Sequence, residues 1–206
     1  MKKSLFPAFL KLAGRRCLVV GGGPVAEEKI AGLLRTGARL HVVAPHVTSQ
    51  IQSWARTKTI RWSARTFRLS DLSGVFLVVA ATSSPALHAQ IYRDAKRRGI
   101  LCNVVDDPKH CDFYYGAVVR RGALQIAIST AGHSPALAQR LKKQIEQEIG
   151  SEYESWVASL GKQRKKFFAR KLSPQQRRRL LHQLASRNSL EEFCRSRKPR
   201  PKIKRP

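Results

Sequence analysis

Acidic residues are scarce in this chain: 13 Asp and Glu stand against 40 Lys and Arg in 206 residues, a formal net charge of +27. A surface of one sign repels cations and draws in anions, from small polycarboxylates to phosphate polymers. Cysteine is sparse as well. Cys17, Cys102, Cys111 and Cys194 are scattered with no C-x-x-C pair, which argues against a disulfide framework or a zinc knuckle and suits a reduced, cytoplasmic protein. Long apolar runs are missing, none approaching the ~20 residues of a membrane span. The opening MKKSLFPAFLKLAGRR has the look of a signal peptide, but Pro7 and Lys11 break its apolar run and it leads straight into a strand. It reads as a leading segment of the fold. No internal repeat is visible. At this length the chain can bury one good core plus a smaller appendage.

What is present is sharpest at CLVVGGGPVAEEKIAGLL, Cys17 to Leu34. An apolar strand breaks into three glycines and resumes as a helix. Gly21, Gly23 and Ala26 follow the G-x-G-x-x-G/A spacing of a dinucleotide-binding turn. Gly21 permits the sharp turn, Gly23 lets backbone approach a pyrophosphate, and Ala26 lets the helix sit close to the strand. The N–H groups that open the helix then face the phosphates. A glycine turn with no nucleotide has the same spacing, so the context matters: Ile30, Leu33 and Leu34 form a helical stripe, Gly37 stops it, and Arg39 to Pro45 reads as a second strand. The acidic residue that usually ends that second strand and binds ribose is replaced by Val43, Ala44, Pro45 and His46, leaving NAD against NADP open.

Further on, the spacing predicts a helix around Val47 to Thr57, a strand from Thr59 to Phe67 with Ile60, Trp62 and Ala64 alternating, and a buried strand from Val75 to Ala81. Ser84 and Pro85 supply an N-cap and a first helical residue, and Gly99 ends that helix. Ile100 to Val105 forms the next buried strand and delivers Asp106 and Asp107 at its carboxyl end. Strands alternating with helices predict a Rossmann-like, doubly wound parallel α/β sheet over residues 1–113, with ligands gathered beyond the carboxyl ends of its strands. Tyr114 to Thr130 reads instead as a hairpin turning at Arg120 to Gly122, followed by the loop Ala131 to His133 and by a helix started at Ser134 and Pro135. That α+β region, 114–150, has little core of its own and is expected to pack against a second copy. A helical domain follows over 151–194, with Trp156, Leu160, Phe167 and Phe168 in one stretch and a second helix from Pro174 to about Ser186. The last twelve residues, 195–206, carry seven basic side chains, three prolines and no acid, the composition of a disordered tail. Such a tail is either a solvated end or an anchor for nucleic acid or another anionic surface.

Taken together, GGGPVA, NVVD followed by a short loop and an apolar hairpin, and ISTAGHSPALA occur in an order and spacing that closely resemble the dehydrogenase and ferrochelatase portion of siroheme synthase, from about Leu5 to Gly150. The resemblance implies oxidation of precorrin-2 to sirohydrochlorin with NAD as hydride acceptor, in some members insertion of ferrous iron, and a homodimer whose active site lies between nucleotide domain and dimerisation region. It implies a catalytic role in proton removal for Asp106. It places Gly21, Gly22, Gly23, Pro24 and Val25 at the pyrophosphate, Pro45 and His46 on the adenosine side, Thr82 beside the cofactor, and Ser129, Thr130, His133 and Ser134 near the tetrapyrrole. Arg and Lys suit the carboxylate arms of such a substrate. His110, Cys111 and His133 fit no established metal-ligand spacing. His182, Trp156, Phe167 and Phe168 read as helical core or surface. A reading of another class is a nucleotide-sensing regulatory module whose basic tail contacts nucleic acid or a partner.

Overall fold

The computed structural model describes residues 4–197. The chain divides after Tyr115 into two compact units. The first is built on five parallel strands, β1 (Arg16–Val20), β2 (Arg39–Val43), β3 (Arg61–Ser63), β4 (Leu77–Ala80) and β5 (Leu101–Val104), in the order β3-β2-β1-β4-β5. Helices α1 (Pro24–Leu34), α2 (Ser49–Arg56) and α3 (Pro85–Arg97) are the crossovers. β1 and β4 are the central strands, and they are apolar nearly throughout because both faces are covered. Cys17, Val19 and Val79 pack on one side with Ile30, Leu33 and Ile51; Leu18, Val20 and Val78 pack on the other with Leu72, Ile91 and Ala95. The order reverses between β1 and β4, where doubly wound sheets open their ligand crevice.

The strand expected from Thr59 to Phe67 is only Arg61–Ser63. Its alternation is real, but the Arg65 N–H turns back to the Ser63 carbonyl (2.9 Å). The Arg65 guanidinium then grips buried Asp71 through both oxygens at 2.9 and 2.6 Å. That pair takes the chain off the sheet edge and into a 3-10 turn, Leu69–Leu72.

The second unit begins with the antiparallel hairpin β6 (Ala117–Arg121) and β7 (Leu124–Ile128). Its turn lies at Gly122–Ala123, one residue beyond the expected place, because Gly122 adopts φ +57° and Arg121 still pairs with Leu124. Then come α4 (Pro135–Glu148), α5 (Glu152–Phe168), α6 (Pro174–Leu184) and α7 (Arg187–Arg197). The Arg121 side chain donates to the Ile149 and Glu146 carbonyls (2.8 and 2.9 Å), satisfying the open end of α4. Hairpin and helices belong to one unit, where the sequence suggested a division at residue 150. α7 runs past the expected end of the helical domain. It carries residues 195–197 of the expected tail on a helix, on which Glu191 pairs with Arg187 and Arg195 one turn away on either side. Residues 198–206 of that tail lie outside the described residues. Among the described residues no helix is long and apolar enough to cross a membrane.

Candidate active site

The carboxyl edge of the sheet is assembled from chain ends that have to turn sharply. After β1, Gly21 takes φ +128°, and a Cβ there would collide with the backbone carbonyl of Ala81. Gly22 is equally confined, since a Cβ would strike the His46 carbonyl oxygen and lie 2.7 Å from the Val47 side chain. A Cβ at Gly23 would meet nothing within 4 Å, so its backbone faces open space. The first two glycines therefore answer to the protein's own backbone, and the third leaves an approach clear. The turn is fastened by Gly21 N–H to the Val43 carbonyl (3.0 Å) and Thr48 N–H to the Gly22 carbonyl (3.0 Å).

Pro24 and Val25 open α1 without a side-chain cap, whereas Thr48, Ser84, Ser134 and Ser173 each cap the helix that follows them. An uncapped N-terminus keeps its first-turn N–H groups and positive dipole end available to an anion. The confined glycines, the clear approach at Gly23 and the uncapped helix fit the pyrophosphate of a dinucleotide. Pro45 and His46 stand exposed beyond β2, next to this turn. Thr82 follows β4; its N–H donates to His88 Nε2 (3.3 Å), and its hydroxyl accepts from Ser84 N–H (3.2 Å).

Three residues here escaped sequence reasoning. The Thr48 hydroxyl donates to Glu27 (2.6 Å) and accepts from Ile51 N–H (3.3 Å), tying α1 to α2 while capping α2. His88 steadies the loop after β4. None belongs to a motif; the pairs are 21 and 6 residues apart, and only the fold brings them together.

Asp106 lies past β5 in a left-handed conformation, φ +61°. Asp107 N–H returns to the Val104 carbonyl (3.3 Å), which closes a turn with Asp106 at the position that demands positive φ. Aspartate tolerates this region better than most residues, at a cost of roughly 1 kcal/mol. The adjacent carboxylates then part company. Asp107 accepts from His110 Nδ1 (2.6 Å), and this hydrogen bond holds its carboxyl below the usual range. Asp106 is exposed, and among the described residues nothing bonds its carboxylate. The loop behind it is fixed to β5: Asn103 Nδ2 donates to the Phe113 carbonyl (2.8 Å), the Asp112 carboxylate accepts from Cys102 N–H (3.0 Å), and the Cys111 thiol donates to the Val104 carbonyl (3.1 Å). A free carboxylate on a braced turn is suited to accept a proton.

No group of three or more His, Cys, Asp or Glu among the described residues forms a metal cluster. Burial pushes the Cys17 thiol up to about 11 and Cys102 to about 12, which keeps both protonated and inert. Ser129, Thr130, His133 and Ser134 come together in one loop of the second unit. There Ser129 Oγ accepts from Ala131 N–H (3.1 Å), Thr130 Oγ1 from Ser134 N–H (3.0 Å), and Ser134 Oγ from Leu137 N–H (3.2 Å). One donor at the start of α4 is thus already engaged by Ser134. The hydroxyl protons of all three remain available to an anion.

Residues 8–117 match a sequence family described as "Putative NAD(P)-binding", and residues 121–148 match the family "Sirohaem biosynthesis protein central". Siroheme synthase of Photorhabdus laumondii is 40% identical over 172 residues, 84% of this chain and 37% of that protein. Siroheme synthase 1 of Aeromonas salmonicida is 38% identical over 184 residues, 89% of this chain and 39% of that protein. The chain spans little more than a third of the length of these relatives. Among solved structures it is similar to SirC, a precorrin-2 dehydrogenase, at a TM-score of 0.76 and 29% identity, covering 93% of this chain and 98% of that one.

Proposed function

This chain belongs to the NAD(P)-binding family found in siroheme synthases, and on that premise we propose that it oxidises precorrin-2 to sirohydrochlorin with NAD. The observation that carries the reading is the likeness to a precorrin-2 dehydrogenase over 93% of this chain and 98% of that one, joined to a braced, unpaired carboxylate at Asp106. Bound NAD supplies the hydride acceptor. Gly21, Gly22 and Gly23, with the N–H groups after Pro24 and Val25, hold the pyrophosphate; Pro45 and His46 line the adenosine side, and Thr82 borders the pocket. Asp106 accepts the proton released as the hydride leaves, so substrate loses one hydride and one proton. Ser129, Thr130, His133 and Ser134 receive carboxylate arms of the tetrapyrrole. The second unit buries little of its own hairpin, which supports a homodimer formed through that face. Ferrous iron is the candidate second substrate. A cytoplasmic setting agrees with the free cysteines and with the metabolite served.

The test is incubation with enzymatically generated precorrin-2 and NAD without metal, following NADH absorbance and the sirohydrochlorin spectrum. Both signals are expected, and Asp106→Asn should lower turnover by about 10²–10⁴ while NAD still binds. NAD binding without oxidation by the parent protein would replace this reading with the regulatory one. If oxidation proceeds, addition of ferrous iron tests the chelatase step.

A further inference from the structure

From Ser155 to Leu190 the chain carries ten Lys and Arg and no Asp or Glu. These residues occupy most of α5, all of α6 and the start of α7. Lys162, Arg164, Lys165, Lys166, Arg170, Lys171, Arg178, Arg179 and Arg187 are all exposed. Among the described residues, the one cation of this stretch with a salt-bridge partner is Arg187, and that partner, Glu191, lies beyond it. Like charges one helical turn apart, such as Lys162 and Lys166, repel and weaken a helix. The dipole at the end of α5 favours Lys165 and Lys166, but it does not account for Arg178 and Arg179 inside α6.

The cations are also ordered in space. Phe168, 51% exposed, has the guanidinium of Arg164 from α5 at 4.8 Å from its ring centre and that of Arg177 from α6 at 4.5 Å. The Arg177 Nε is buried with no hydrogen-bond partner, and its Nη2 reaches the Leu172 carbonyl (3.3 Å). Two cationic helices are thus pinned together at one aromatic ring. On α6, Gln175, Arg178, Arg179 and His182 recur at the spacing of a single helix face and line an open depression of about 430 Å³. At 1.5 Å per residue the 17-residue α5 alone extends roughly 25 Å, the span of several successive phosphates along a strand.

We propose that the α5–α6 face is a docking surface for a nucleic acid strand, recognised through its phosphates without base preference. A row of cations spread along two helices, with no carboxylate among them, matches a linear polyanion better than one compact ligand. The surface is formed by α5 and α6 themselves.

Fluorescence polarisation of a labelled 20-nucleotide RNA with the 206-residue chain tests it. Binding is expected to weaken about 100-fold between 50 and 200 mM salt if five phosphates are engaged. The double variants Arg178→Glu/Arg179→Glu and Lys165→Glu/Lys166→Glu should each bind at least tenfold more weakly, with circular dichroism and NAD binding unchanged. Arg97→Glu/Arg98→Glu, an equally exposed pair on the first unit, makes the same charge change elsewhere and should have a much smaller effect. Equal losses from all three variants would mean that binding follows net charge alone, and the proposal falls. It falls too if deleting 198–206 abolishes binding that the charge reversals leave intact, or if polyglutamate binds as tightly as RNA, which would point to an acidic protein.

Discussion

The two units handle apolar and charged residues in opposite ways. The first covers both faces of its sheet and buries whole strands, and its one buried carboxylate, Asp71, is gripped by Arg65. The second, among its described residues, buries only Ala117, Val119, Ala138 and Trp156, while its strands and helices carry half-buried apolar side chains and exposed cations. A doubly wound sheet closes its own core; a hairpin with four helices does not. The first unit is therefore a rigid frame for a turn and a carboxylate, and the second has surface left over for other molecules.

The largest effect that would test this contrast is core truncation. Leu18→Ala, at a fully buried central position, should cost about 2–5 kcal/mol in denaturant unfolding. Ile126→Ala, half-buried on β7, should cost under about 1.5 kcal/mol at high dilution and more as protein concentration rises. Equal costs under all conditions would erase the distinction.

Gly22→Ala comes next. Its new Cβ meets backbone that cannot rotate away, so a loss of about 1–3 kcal/mol and of NAD binding is expected by thermal shift and calorimetry. Gly23→Ala meets no protein atom, so its stability should hold while NAD affinity falls.

Asp71 sharpens the contrast through pH. The Arg65 hydrogen bond holds its carboxyl below the ordinary value, with burial opposing. A depressed folded-state value means that the unfolded chain takes up the proton first. The stabilisation is thus complete above about pH 4 and drains as pH falls through the lower, folded value. Asp71→Asn should remove about 1–3 kcal/mol at pH 7 and flatten the acid limb of the stability curve. Retention of the parent slope would show that the pair does not govern it.

The smallest effects belong to the helix caps. Ser84→Ala and Ser134→Ala should each cost about 1 kcal/mol, the first raising unfolding of the frame and the second local hydrogen exchange in α4. A cost near zero for Ser134→Ala would mean that α4 draws its order from elsewhere in its unit.

Apolar runs such as VFLVVAA, the glycine spacing and the Ser-Pro helix starts are local signals, and sequence by itself determined the parallel sheet, the crossover helices and the turn at Gly21 to Gly23 from them. It also put Asp106 and Asp107 at the end of a buried strand, and only the family resemblance singled out Asp106. It overran β3, because alternation cannot reveal that Arg65 will find Asp71 six residues on. It ended the helical domain at residue 194, three residues short of the end of α7, where Arg195 pairs back to Glu191. Tertiary structure alone decided which of two adjacent aspartates is free, since His110 captures Asp107 only once the loop has folded onto β5. It alone brought Thr48 to Glu27 and Arg177 to Phe168. Local propensity is written in neighbouring residues, whereas the partner of a polar side chain is chosen by the packing of distant segments, and that choice separates a bonded residue from one left free to act.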